Sequence, residues 1–131
     1  MPKILFFLMS IFLANIVFAT KAKADINSTL MNICTIVVSD DSSDLRNKIE
    51  EVNKHYRLKL RHYYNSISCD GQSLIRAAII NDAYQTAELL IKKLPKLNLR
   101  LPESDGKTLQ QWIDDKNLSD SPIAITLSNK I

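Results

Sequence analysis

Two cysteines, two histidines and a repeated Asp-Gly motif are the residues of this 131-residue chain whose types and spacing can carry chemistry. Cys34 and Cys69 can close a disulfide or stay as free, redox-active thiols; no Cys-x-x-Cys spacing is present to lower a thiol pKa. His55 and His62, the only histidines, stand seven residues apart and can share a helix face, where one added carboxylate would make a thin metal site. No Cys/His spacing of the zinc type accompanies them, and the plainer reading is a pair of surface or half-buried side chains, so no metal or cofactor is expected. Hydrolysis needs a nucleophile with a base and an orienting acid, or two carboxylates facing a cleft. No Gly-x-Ser-x-Gly, His-Glu-x-x-His or glycine-rich phosphate loop occurs, so no catalytic residue is assigned and the chain is read as a non-enzyme.

The motif is the organising feature. Asp70-Gly71-Gln72-Ser73-Leu74 returns 35 residues later as Asp105-Gly106-Lys107-Thr108-Leu109, and Gly71 and Gly106 are the only two glycines. Glycine accepts a positive φ without a Cβ clash, and the hydroxyls of Ser73 and Thr108 can cap the helices that follow. After the first copy, Leu74, Ile75, Ala78 and Ile79 fall on one face, Asn81-Asp82 breaks the pattern, and Ala83, Ala87, Leu90 and Ile91 resume it. Two short antiparallel helices meeting through small residues are predicted. Pro95 ends the second of them, and Leu97, Leu99 and Leu101, alternating with Asn98 and Arg100, predict an extended run from Lys96 to Ser104. A helix from Thr108 to about Lys116 would bury Leu109, Trp112 and Ile113, with Trp112 as core or cap packing. Ser121-Pro122 reads as the N-cap and first residue of a last helix carrying Ile123, Ile125 and Leu127.

Before the motif, Leu30, Ile33, Cys34 and Val37 follow a helical spacing that Ser28 can cap, and residues 39–43 form a polar break. A second helix is predicted from about Asp44, with Leu45, Ile49, Val52 and Tyr56 on one face. The stretch from Lys54 to Tyr64 concentrates charge in Lys54, His55, Arg57, Lys59, Arg61 and His62. One reading is a basic, aromatic-interleaved patch for an acidic protein, a phosphate-bearing lipid or a polyanion. The other is a helix end and an extended connector, with Leu58 and Leu60 turned inward and the charges neutralised by the acidic run from Asp40 to Glu51.

Upstream elements set the compartment. Met1-Pro2-Lys3, the apolar run from Ile4 to Ala19 and the small-x-small sequence Ala22-Lys23-Ala24 read as a signal peptide over 1–24, with an uncleaved anchor as the alternative. The run is shorter than the ~20 residues a spanning helix needs, so no stable membrane anchor is expected after cleavage. Cleavage would remove three lysines, leaving 14 basic against 14 acidic residues and turning a formal charge of +3 to zero. A neutral chain lacks the cationic excess on which non-specific nucleic-acid binding rests, so no nucleic-acid partner is expected. Residues 25–131 have the length of a single domain. In a periplasmic or secreted chain the two cysteines favour one disulfide, whose loop of about 35 residues would add roughly 4 kcal/mol in the chain-entropy account.

Gly71-Gln72-Ser73-Leu74-Ile75-Arg76-Ala77-Ala78 resembles the ankyrin-repeat opening G-x-T-P-L-H-x-A, with Ala87, Leu90 and Ile91 at the apolar positions of an ankyrin second helix and a near-ankyrin period. The resemblance covers residues 69–131. Cys34, the charged segment 43–62, Cys69-Asp70-Gly71, Leu94-Pro95 and Asp105-Gly106-Lys107-Thr108 with Trp112 are also similar to a family of short secreted bacterial proteins of unknown function. These resemblances imply an all-α, short ankyrin-like solenoid of about six helices. It would comprise an N-terminal helix pair and connector over 28–64, an ankyrin-like unit over 69–95 and a degenerate unit over 96–131. By that analogy the chain is expected to bind an envelope or secreted protein without catalysis, through Arg76, Tyr84, Arg100 and Gln111 exposed beside the turns. An inhibitor or immunity-type role against an envelope hydrolase or toxin, and an unrecognised enzyme or metal binder, are the alternatives.

Overall fold

Short helices build the described residues, and three of them are stopped by an acidic or amide residue in the left-handed conformation. The computed structural model describes residues 26–131, and the expected signal peptide lies outside the described residues. The chain divides into two units, 1–30 and 31–131. The described residues contain eight α-helices and no strand: α1 (26–38), α2 (Ser42–Tyr56), α3 (Leu60–Tyr63) running into a 3-10 turn (Tyr64–Ser66), α4 (Leu74–Ile80), α5 (Tyr84–Lys93), α6 (Lys96–Arg100), α7 (Leu109–Asp115) and α8 (Pro122–Lys130).

With only two glycines, the helices end on other residues. Asp40, Asp82 and Asn117 hold φ of 59°, 52° and 57° just past α1, α4 and α7. Each completes a Schellman cap, as in the bonds Ala83 N to Ala78 O at 2.8 Å and Asp82 N to Ile79 O at 3.3 Å. Asp and Asn tolerate this region better than other side chains, which is why the breaks at 39–43 and 81–82 are polar.

α5 is the central helix, packing against α4, α8 and α2. Its Ala87, Leu89, Leu90 and Ile91 are buried, as are Leu74 and Ala78 of α4, Leu45 and Val52 of α2, and Ile123 and Leu127 of α8, the helices it packs against. Neither end of α5 is capped from within. Ala83, its N-cap, has no side chain to offer, and Asp40 from the α1–α2 turn accepts instead from Thr86 N at 2.9 Å. The Thr86 hydroxyl, fully buried, donates to Val37 O at 2.8 Å and fastens α5 to the end of α1. At the other end Lys130 of α8 donates to the carbonyls of Ile91, Lys92 and Leu94. A carboxylate at the N-terminus and an ammonium at the C-terminus both suit the helix dipole. Burial, then the nearby Lys96 charge, pulls the Lys130 ammonium below its ordinary range.

Cys34 and Cys69 form a disulfide with a Cα–Cα distance of 5.6 Å, tying α1 to the turn that precedes α4.

Several boundaries differ from the sequence expectation of about six helices. Residues 96–100 are helical, not extended: Pro95 supplies a fixed φ of −62° at the N-cap, and the short helix buries Leu99 while Leu97 and Leu101 stay exposed. An alternating apolar run this short does not separate strand from helix by periodicity. Ser28 lies inside α1 and does not precede it. α2 begins at Ser42 because Asp41 caps it, accepting from Asp44 N at 3.0 Å. Tyr56, in the last turn of α2 beside the left-handed Arg57, is exposed, and Leu60 opens the short α3.

Candidate functional site

The two Asp-Gly segments meet around one buried cation. α4 starts where Ser73 accepts from Arg76 N at 3.4 Å, and α4 is buried at every residue from Leu74 to Ile79. Arg76 therefore cannot reach solvent: it is 6% exposed, and a charge so placed has to be paired. Its Nη1 and Nη2 donate to Asp105 Oδ2 and Oδ1 at 2.7 and 2.9 Å, a two-point fork, and Nη2 also reaches Lys107 O at 3.2 Å. Nε lies 2.6 Å from Glu103 Oε1 but forms no aligned hydrogen bond, so this contact is ionic. The guanidinium also lies 5.3 Å from the centre of the Trp112 ring.

Glu103 is held from two further sides. Ser73 Oγ donates to its Oε1 at 2.9 Å and Tyr64 Oη to its Oε2 at 3.0 Å. Tyr64 Oη also accepts from Ile75 N at 3.4 Å, so Ser73 and Tyr64 together satisfy first-turn N–H groups of α4. One guanidinium against two carboxylates leaves this cluster one negative charge in excess. Its hydrogen bond to Asp105 holds Arg76 above its ordinary range, and the same bond, with Lys107 N, holds the Asp105 carboxyl well below the usual carboxylate range. Burial, reinforced by the Glu103 charge, pushes the Tyr64 phenol far up, so it stays a neutral donor. Burial alone pushes neighbouring Tyr63 up to about 12.

Ser73 beside a carboxylate has the composition of a nucleophile and base. The geometry is that of a brace, because the hydroxyl proton is committed to Glu103 and a lone pair to the α4 N-terminus. The cluster joins residues 64, 73, 76, 103, 105 and 112 and locks the second turn onto the first. A cleft of about 410 Å³ opens beside it, lined by Tyr64, Asn65, Gln72, Ser73, Pro102 and Glu103 among others. A second hollow, about 530 Å³, runs along the disulfide past Met31, Val38, Ser68 and Asp70.

The repeated motif builds two different turns. In the first, Asp70 and Gly71 have φ of 51° and 81° between the paired Cys69 and Gln72, the arrangement of a type I′ turn. In the second, only Gly106 is left-handed, at 83°, following a turn closed by Gly106 N to Glu103 O at 2.9 Å. The capping hydroxyls act alike. Thr108 Oγ1 accepts from Gln111 N at 3.1 Å, and Gln111 Oε1 accepts from Thr108 N at 2.9 Å, completing a capping box.

A sequence model described as protein of unknown function (DUF3718) matches residues 33–101, just over half of the chain. The chain belongs to the DUF3718 family. No curated protein and no solved structure matches it. In this DUF3718 protein the matched segment contains both cysteines, the first Asp-Gly turn and Arg76, while Glu103 and Asp105 follow directly after it.

Of the expected contact residues, Arg76 is the correction: it is buried at the centre of the brace. Tyr84, Arg100 and Gln111 are exposed, Arg100 donating to the Ile131 carbonyl and Gln111 engaged in its capping box. His55 and His62 are exposed; His62 Nδ1 accepts from Lys59 N at 3.0 Å, and no group of three or more potential metal ligands occurs among the described residues. Glu103, Tyr64, Asp40 and Thr86 were not singled out by sequence reasoning. Each has a hydrogen-bond partner 30 or more residues away, and no local spacing marks them.

Proposed function

We propose that this DUF3718 protein is an exported, non-catalytic interaction module whose contact surface is the cleft between its two Asp-Gly segments. The observation that carries the reading is the Arg76 brace. It spends the reactive side chains of the site on one another and presents the cleft as a pre-organised surface, which lowers the ordering cost of binding. The disulfide supports the compartment, since such bonds persist in oxidising surroundings and a signal peptide over 1–24 would deliver the chain there. An ankyrin-like stacking of 69–95 on 96–131 is part of the proposal. Its support is that both segments open on a glycine turn followed by a hydroxyl-capped helix, and that α4 and α5 form a helical hairpin.

Photocrosslinking groups placed one at a time test the surface. Positions Asn65 and Ser104, exposed on the cleft, should capture one and the same envelope or secreted protein in cells, while exposed Lys116, away from it, should not. Equal capture at all three positions would refute the assignment of the cleft.

A further inference from the structure

Of the five acidic residues in the run expected to neutralise the basic stretch 54–62, three are engaged elsewhere, and Asp44 and Glu50 form no ion pair with the stretch among the described residues. Asp40 binds Thr86, Asp41 caps α2, and Glu51 pairs with Lys48 at 3.2 Å. Lys54, His55, Arg57, Lys59, Arg61 and His62 are all exposed, and among the described residues none of the four Lys and Arg side chains has an ion pair within 4 Å; Arg61 Nε donates only to the neighbouring His62 Nε2, at 3.5 Å. The dipole of α2 explains Lys54 and His55, which sit in its last turn. It does not explain Arg57, Lys59 and Arg61, which follow the end of the helix. General basicity does not explain them either, because residues 25–131 carry 14 basic and 14 acidic side chains.

We propose that this stretch attaches the protein reversibly to the anionic headgroups of a phospholipid surface. Three observations favour a lipid surface over a shaped acidic protein. Among the described residues the four Lys and Arg charges make no ion pair, so an array of phosphates adds interactions that these residues do not make with one another. Neither cleft described above is lined by any of these residues, so nothing here selects for shape. Tyr56, 38% exposed, and half-buried Leu58 lie among the cations, and a tyrosine ring suits the headgroup level of a bilayer. No helix among the described residues is long and apolar enough to cross a membrane, and the proposed attachment is peripheral. It is independent of the cleft.

The test uses the secreted, disulfide-bonded protein in vesicle sedimentation. Vesicles of phosphatidylcholine with about 30% phosphatidylglycerol should bind it, pure phosphatidylcholine vesicles should not, and molar salt should release it. Near an anionic surface each Lys or Arg contributes roughly fivefold, so R57Q/K59Q/R61Q should lower partitioning by about a hundredfold. K93Q/K96Q/K116Q, an equal charge change elsewhere on the exposed surface, should retain binding. Circular dichroism and the urea midpoint establish that both variants are folded. Equal binding to neutral vesicles, an unaffected 57/59/61 variant or an equally impaired control would each overturn the proposal. Binding to polyglutamate but not to vesicles would assign the patch to an acidic protein. Displacement by millimolar glycerol phosphate would assign it to a single phosphate; no displacement is expected.

Discussion

Replacing Arg76 tests the brace most directly. In Arg76→Ala the Glu103 carboxylate, whose side chain is 9% exposed, loses its counter-charge while remaining enclosed by Tyr64 and Ser73. Breaking a buried ion pair from one side costs about 3–5 kcal/mol. Glu103 keeps two hydroxyl donors, and Asp105 is exposed enough to regain water, so the low end applies, about 3 kcal/mol. For a domain near 100 residues that loss lowers Tm by more than about 10 °C. Arg76→Lys keeps the charge but cannot span both carboxylates, and should cost about 1–2 kcal/mol. Urea unfolding of the disulfide-bonded protein, with the m-value checked for constancy, supplies the free energies. The double variant R76M/E103L, which removes charge from both sides, should be more stable than R76M alone. A loss below about 1 kcal/mol in Arg76→Ala, or no recovery in the double variant, would refute the view that a charge-paired core joins the two turns.

The Asp105 carboxyl has a folded pKa depressed below its unfolded value near 3.8, so more protons bind the unfolded chain in that range. Its contribution is present above about pH 4 and is lost as pH falls further: the stability difference between wild type and Asp105→Asn should be flat from pH 5 to 7 and shrink below pH 4. Reducing the disulfide frees a loop of 35 residues and should lower stability by about 4 kcal/mol in the chain-entropy account, read as the urea midpoint with and without reductant. Thr86→Val removes the buried hydroxyl that reaches Val37 and leaves that carbonyl with Asp40 N, at 3.1 Å, as its remaining donor. A loss of about 1–2 kcal/mol is expected, and an unchanged melting temperature would count against α5 being fastened to α1 through this bond.

The elements legible in the sequence were those coded locally. The apolar spacing of Leu45, Ile49 and Val52, the hydroxyl caps Ser73, Thr108 and Ser121, and the positive φ at Gly71 and Gly106 all stand as read, because each depends on a few adjacent residues. Arg76 was misread as exposed because its place on α4 admits either a surface or a core position. The carboxylates that decide the matter arrive 27 and 29 residues later. Tyr56 fits the α2 spacing, yet the left-handed Arg57 turns the chain away and leaves the ring in solvent. The disulfide pairing was legible because two cysteines allow one intramolecular bridge.

The two Asp-Gly segments show how far similar local code carries. In the first, Asp70 takes a left-handed φ and its carboxylate stays exposed. In the second, the equivalent Asp105 is drawn onto Arg76 and accepts from Lys107 N at 3.0 Å, and only Gly106 is left-handed. The local signal specifies a turn followed by a capped helix; which turn forms is decided by the buried guanidinium contributed by the other copy. That division has a functional consequence. A substitution at Asp70 should act only on its own turn, whereas one at Asp105 reaches α4 through Arg76 and, through Glu103, the wall of the cleft. The contact surface proposed for this DUF3718 protein is therefore assembled by charges far apart in the chain, while the basic stretch at 54–62 stands apart from that network and makes no ion pair among the described residues.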